Sequence, residues 1–144
     1  MAQAEFREVL KVEADRFFST VVQYDDYPEF VEGCTSVNLE PSSDPTRKRV
    51  SYVVNVMSQE VKYTLDHQED RARGKVEWTL VDSNFFKKNV GKWEIKAVGP
   101  KQTEIVYSLE VEFKIPVPGF ILNRLIKGSL PGMVRSFEKR AQQA

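Results

Sequence analysis

The 144-residue chain has one cysteine, Cys34, and one histidine, His67. An intrachain disulfide is excluded, a reducing compartment is compatible, and a Cys/His metal site has too few ligands, so no metal and no cofactor are expected. Neither sign of charge is in excess: 21 Lys and Arg balance 21 Asp and Glu, and the formal net charge is zero. Duplex nucleic-acid binders usually carry a basic surplus that neutralises phosphates, so DNA is not an expected partner. No stretch approaches the ~20 consecutive apolar residues that span a bilayer. Residues 1–16 are charged and hold no apolar run before a small-residue cleavage site. Those features place the protein in the cytoplasm. Gly-rich phosphate loops, internal repeats, low-complexity tracts and linkers are missing too, and residues 1–144 read as one domain.

Aromatic residues, in contrast, are plentiful: nine Phe, five Tyr and two Trp. Their spacing falls into two regimes. From about Val37 to Phe113 the period is two. Val50, Tyr52, Val54 and Val56 share one parity, as do Val61, Tyr63 and Leu65, and then Val76, Trp78 and Leu80. Trp93, Ile95 and Ala97 follow, and last Ile105, Tyr107, Leu109, Val111 and Phe113. Charged and polar residues fill the alternate positions, the pattern of an antiparallel sheet covered on one face. Pro41–Pro45, Asp70–Gly74 and Gly99-Pro100 read as the short turns that make hairpins. A further strand is expected over Glu5–Val12.

Two short helices are expected before the sheet. Ala14, Phe17, Phe18, Val21 and Val22 recur at helical spacing. Asp26 with Glu29 resembles a capping box, with Pro28 in the first turn and Gly33 ending the segment. After Pro116-Val117-Pro118-Gly119, Leu122, Ile126, Leu130, Met133, Val134, Phe137 and Ala141 hold one phase across Pro131 and Gly132. A continuous helix kinked by Pro131, opening near Lys127, accounts for that. The fold class is therefore α+β: a curved antiparallel sheet of about seven strands wrapped around a long C-terminal helix. A twisted sheet around one helix leaves space between the two, so an apolar cavity is expected there.

The inward residues are the candidate ligand-binding set. The sheet supplies Tyr52, Val54, Tyr63, Leu65, Trp78, Trp93, Tyr107, Leu109 and Phe113, and the last helix Leu122, Ile126 and Met133. Each can equally be plain core. Adjacent Phe85 and Phe86 cannot both point inward from a regular strand, so one reads as a lid over the cavity mouth or a membrane-contact residue. His67 lies on the inward parity and could act as a general acid or base, but a hydrogen-bonded histidine at a strand end explains it as well. Cys34 lacks a neighbouring base and reads as a buried thiol, and Asp25 and Asp26 read as helix-start residues rather than metal ligands. No catalytic residue is assigned. Arg124, Lys127, Arg135, Lys139 and Arg140 make the last helix basic, either as a solvated face or as a peripheral membrane contact.

Val22–Phe30, with its Tyr27-Pro28-Glu29-Phe30, followed by Gly33-Cys34, resembles an early helix of the START-like helix-grip superfamily (SRPBCC). The nearest likeness is to the polyketide cyclase/dehydrase branch that includes coenzyme Q-binding START proteins. Asn84–Trp93 is similar to that branch's F-x-x-x-x-G-x-W connection. Val111-Glu112-Phe113, the proline-containing turn and Ser136–Ala141 resemble its final strand and helix end. The resemblance implies a hydrophobic tunnel between sheet and helix, and a ligand of the lipid, isoprenoid quinone or polyketide class. Three functions stay open. The first is a carrier for a hydrophobic small molecule, and the second an interaction module like the ribosome-associated toxin of the same branch. The third is an aromatic polyketide cyclase, for which Tyr52, Tyr63, Tyr107 and His67 would be the polar groups.

Overall fold

The computed structural model describes residues 2–56, 58–124, 128 and 130–143. Strand β1 (Ala2–Leu10) leads to helix α1 (Ala14–Val21), a 3-10 turn over Tyr24–Asp26, and the short α2 (Tyr27–Phe30). Six strands follow: β2 (Cys34–Leu39), β3 (Arg47–Val56), β4 (Gln59–Asp70), β5 (Lys75–Ser83), β6 (Phe86–Gly99) and β7 (Gln102–Phe113). Helices α3 (Gly119–Asn123) and α4 (Leu130–Gln143) end the chain. The seven strands form one antiparallel sheet in the order β1-β7-β6-β5-β4-β3-β2, matching the expected helix-grip architecture. Register shifts at Cys34/Ser36, Thr64/Leu65, Phe86/Lys88 and Ala97/Gly99 bend the strands, and such bulges increase local twist.

The period-two pattern decides which face is covered. Val50, Tyr52, Leu65, His67, Val76, Trp78, Trp93, Ile95, Ile105 and Tyr107 are buried. The opposite face carries ion pairs such as Arg49–Asp66 at 2.7 Å and Lys88–Glu110 at 2.8 Å. Over the inner face, α4 buries Leu130, Val134, Phe137 and Ala141, while α1 buries Phe17, Phe18 and Val21. Phe137 is the meeting point. Its ring lies 5.2 Å from Trp93, 5.0 Å from Phe30, 5.2 Å from Tyr27 and 6.5 Å from Phe17. The first loop is fastened by Thr103, fully buried, whose hydroxyl donates to the Val12 carbonyl at 2.6 Å.

Several details depart from expectation. The Asp26/Glu29 capping box does not form, because neither carboxylate caps α2. Both instead accept from Arg140 of α4, at 3.4 and 3.1 Å, with its guanidinium over the Phe30 ring. A cation across the gap outcompetes a local backbone donor and ties α2 to α4. It also takes Arg140 off the basic face of the last helix. The first strand begins earlier than Glu5 and ends at Leu10, so Val12 is buried in the following loop. Pro131 lies near the start of the α4 segment, and the described residues ahead of it, Arg124 and Gly128, are π-helical, the widened turn expected where a proline withholds an N–H from a helix that carries on across it. The expected kink position, Lys127, lies outside the described residues.

Truncating the central ring tests this packing. Phe137→Ala should lower unfolding free energy by about 3–5 kcal/mol, read by urea denaturation. A loss under about 1 kcal/mol would show that α4 is anchored elsewhere.

Candidate functional site

Strand register brings the inward side chains into rows. Tyr52 pairs with Tyr63, and Val50 with Leu65. His67 lies opposite Trp78, whose other cross-strand partner is Gly91. Trp93 faces Tyr107, and Gly91 faces Leu109. Between these rows and α4 lies a cavity of about 250 Å³, just under the ~300–1,000 Å³ usual for small-molecule pockets.

The structure places most of the sequence candidates around it: Tyr52 and Val54 of β3, Tyr63 and Leu65 of β4, Trp78 of β5, Phe86 and Trp93 of β6. Tyr107, Leu109 and Phe113 of β7, Phe85 of the β5–β6 turn and Met133 of α4 complete that group. Leu122 is elsewhere. It lines a neighbouring hollow with Lys87, Ile115 and Val117, and Val111 and Phe113 belong to both. Ile126 lies outside the described residues.

The Phe85/Phe86 expectation needs correcting. Both rings line the cavity, both are half-buried, and they meet each other at 5.3 Å. Phe85 lies in the bend between β5 and β6, and Phe86 is the first residue of β6, just ahead of a register shift. The Ser83 hydroxyl accepts from the N–H groups of Phe85 and Phe86, each at 3.0 Å, and donates to the Lys62 carbonyl at 2.8 Å. Folding the chain around one hydroxyl sends two consecutive side chains the same way. With Phe113, 5.0 and 5.6 Å from them, they make an aromatic rim.

The cavity wall also includes Tyr27, Val31, Cys34, Val56, His67, Asn89, Val111 and Phe137. For Val56, Val111 and Asn89 the signal was present, since they share the inward parity of their strands. Tyr27 and Cys34 had none, because their positions follow from how α2 enters the sheet. Among the described residues, no Asp, Glu, Lys or Arg lines this space.

The polar atoms inside are few. The Trp78 indole N–H donates to Asn89 Oδ1 at 3.1 Å, and the Tyr27 hydroxyl donates to the Val21 carbonyl. The indole can lie flat over β6 only because residue 91 is glycine: a Cβ there would collide with the Trp78 ring and stand 2.5 Å from the Ser108 carbonyl oxygen. His67 Nε2 is 2.8 Å from the Tyr52 hydroxyl, and His67 Nδ1 is buried with no partner among the described residues. The imidazole stacks on Tyr24 at 4.5 Å; the Tyr24 hydroxyl donates to Glu69 at 2.8 Å, and Glu69 also holds Lys48 at 2.6 Å. Burial pushes the Tyr27, Tyr52, Tyr63 and Tyr107 phenols well above their ordinary range, and neighbouring phenols add to this for the first three. Burial likewise raises the Cys34 thiol, so it stays protonated and unreactive at neutral pH. His67 moves the other way. Burial lowers it to about 3, against the pull of Asp66 and with help from Lys48.

An aromatic, uncharged cavity under a helix-gripping sheet is a structural signature, and comparison with known proteins places it. The chain belongs to the polyketide cyclase / dehydrase and lipid transport family. That family's model matches residues 10–138. Among curated relatives, the mitochondrial coenzyme Q-binding protein COQ10 of Dictyostelium discoideum is 25% identical over 152 residues, covering 96% of this chain and 68% of the relative. The ribosome association toxin RatA of Escherichia coli K12 is 24% identical over 144 residues, covering 99% and 89%. Among solved structures, a START superfamily protein from Mycobacterium smegmatis superposes with a TM-score of 0.85 at 19% identity, covering 98% of this chain and 97% of that one. The fold is START-like. No helix among the described residues is long and apolar enough to cross a membrane.

The neutral state of His67 has a measurable consequence. Unfolded histidine titrates near 6.5 while the native one titrates near 3. Between those values the unfolded chain binds a proton that the native state refuses, so stability falls as pH drops through that window. From pH 7 to 5 the protein should lose about 2 kcal/mol by urea denaturation, above the range where most carboxylates titrate. His67→Gln should flatten the profile there. An unchanged slope in the variant would show that His67 is not the group responsible.

Proposed function

We propose that this protein is a carrier that holds a hydrophobic small molecule, of the isoprenoid quinone or neutral lipid class, between its sheet and α4. One observation carries the reading: an uncharged cavity of about 250 Å³ walled by aromatic and aliphatic side chains. Burial of apolar surface at ~25 cal/mol per Å² would supply most of the affinity. The space suits a ring or head group rather than a whole lipid. A tail would leave past Phe113 into the adjoining hollow, lined by Val111, Ile115, Val117 and Leu122 together with Lys87 and Glu112. Beside it, Ile115 and Phe120 are 52% and 77% exposed, and Lys87, Lys114 and Arg124 are exposed as well. Apolar tips flanked by cations suit transient contact with an anionic bilayer from which a ligand could be collected. The coenzyme Q-binding relative supports the quinone class.

Two other readings carry less. A cyclase or dehydrase needs a positioned acid or base, and a histidine lowered to about 3 is a poor base at neutral pH. The relative named as a ribosome association toxin shares the family, but zero net charge offers no general attraction to RNA phosphates.

Trp78 and Trp93 both line the cavity and report occupancy. Titration with a decyl-substituted benzoquinone should quench their fluorescence saturably at one ligand per chain. Val54→Trp, which fills the space from β3, should weaken binding at least tenfold while the protein stays folded. Linear, unsaturable quenching that is the same in wild type and variant would remove the carrier reading.

A further inference from the structure

All five tyrosines of the chain converge on one place. Tyr27, Tyr52, Tyr63 and Tyr107 line the cavity, and Tyr24 stacks on the His67 that also lines it. They come from positions spread over more than eighty residues, so the fold gathers them. Packing alone would be served better by phenylalanine, which has the same ring and no hydroxyl to satisfy. The hydroxyls therefore call for a role.

Their hydrogen bonds divide them. Tyr24 and Tyr27 have spent their protons, on Glu69 and on the Val21 carbonyl. The Tyr63 and Tyr107 hydroxyls make no hydrogen bond among the described residues. Tyr52 is bonded to His67 Nε2, and the direction of that bond decides what Tyr52 offers. If Tyr52 donated, His67 would carry its proton on Nδ1, leaving an N–H buried with no acceptor. If Nε2–H donates, Nδ1 holds only a lone pair. Orphaned buried N–H groups are the rarer and costlier of the two. The favoured tautomer therefore has Nε2 as donor, and the Tyr52 proton is released toward the cavity. Tyr52 and Tyr63 stack at 5.0 Å, so their hydroxyls leave from neighbouring rings of one row.

We infer that the Tyr52, Tyr63 and Tyr107 hydroxyls form a recognition site that donates to the carbonyl oxygen of a neutral ring ligand, with His67 as the positioning residue that keeps Tyr52 a donor. The inference rests on the carrier reading and names the chemistry that the cavity selects. Aromatic faces of Trp78 and Trp93 take the ring, and the phenol protons take its oxygens. A carboxylate fits poorly, because among the described residues no cation lines the space, and a buried charge without a counter-charge is strongly disfavoured. A hydrocarbon of the same shape fits but leaves the phenols unpaired.

Three probes of similar ring separate these cases: 1,4-naphthoquinone, naphthalene and 2-naphthoate, measured by equilibrium dialysis at pH 7.5. The wild type should bind naphthoquinone about tenfold more tightly than naphthalene, and naphthoate most weakly. Tyr63→Phe and Tyr107→Phe should each weaken naphthoquinone about fivefold and leave naphthalene within twofold. His67→Phe, which keeps a ring against Tyr24 but loses Nε2, should likewise weaken only the quinone. Equal binding of naphthoquinone and naphthalene by the wild type would overturn the recognition site and leave the carrier reading standing. So would quinone affinity unchanged in the Tyr→Phe variants, or naphthoate binding tightest. Binding of none of the three would overturn both. The wild-type comparison needs no variant to fold.

Discussion

The structure depends on the contact that Phe137 makes with Trp93. One residue is on the last helix and the other near the middle of the sheet, and their rings meet at 5.2 Å. Phe17 joins from α1, 5.5 Å from Trp93, and Tyr27 and Phe30 join from α2. Rings this wide hold α4 off the sheet at that end, and Arg140 clamps the same end through Asp26 and Glu29. Toward the Phe85–Phe86–Phe113 rim the sheet and the helix are no longer bridged in this way. Tyr27, Trp93 and Phe137 also line the cavity, so the packed core and the space beside it are two outcomes of one packing arrangement.

The cavity has costs that a simple core would avoid. Each unsatisfied buried polar group costs about 1–3 kcal/mol, and His67 Nδ1 is such a group. A glycine at position 91 sacrifices strand propensity so that Trp78 can lie over the backbone. The Tyr24–Glu69–Lys48 chain closes the outer side of His67 with paired groups, which leaves its neutral ring as part of the interior. These features sit together along β4, β5 and β6. A protein selected only for stability would have replaced them with aliphatic side chains.

Much of the architecture was legible in the sequence, because a sheet covered on one face must alternate and these strands do. Tyr52, Tyr63, Trp78, Trp93 and Tyr107 followed directly from parity. What parity could not reach were side chains aimed by irregular backbone or by distant partners. Phe85 and Phe86 both turn inward because Ser83 folds the chain, a device invisible to periodicity. Asp26 and Glu29 look like a local cap, and only the fold brings Arg140, more than a hundred residues away, to take them. The orphaned nitrogen of His67 is likewise a property of its surroundings. Composition nonetheless held a clue, since four of the five tyrosines line a space with no charged side chain among the described residues, which packing alone does not require.

The most direct measure of the central claim is the mass of the protein as purified from its native host, recorded under non-denaturing and then denaturing conditions. The account predicts an added mass, lost on denaturation, belonging to a neutral molecule with an oxygenated ring and an apolar tail. A bare chain mass under both conditions, from protein that also fails to take up such a molecule when it is supplied, would contradict it.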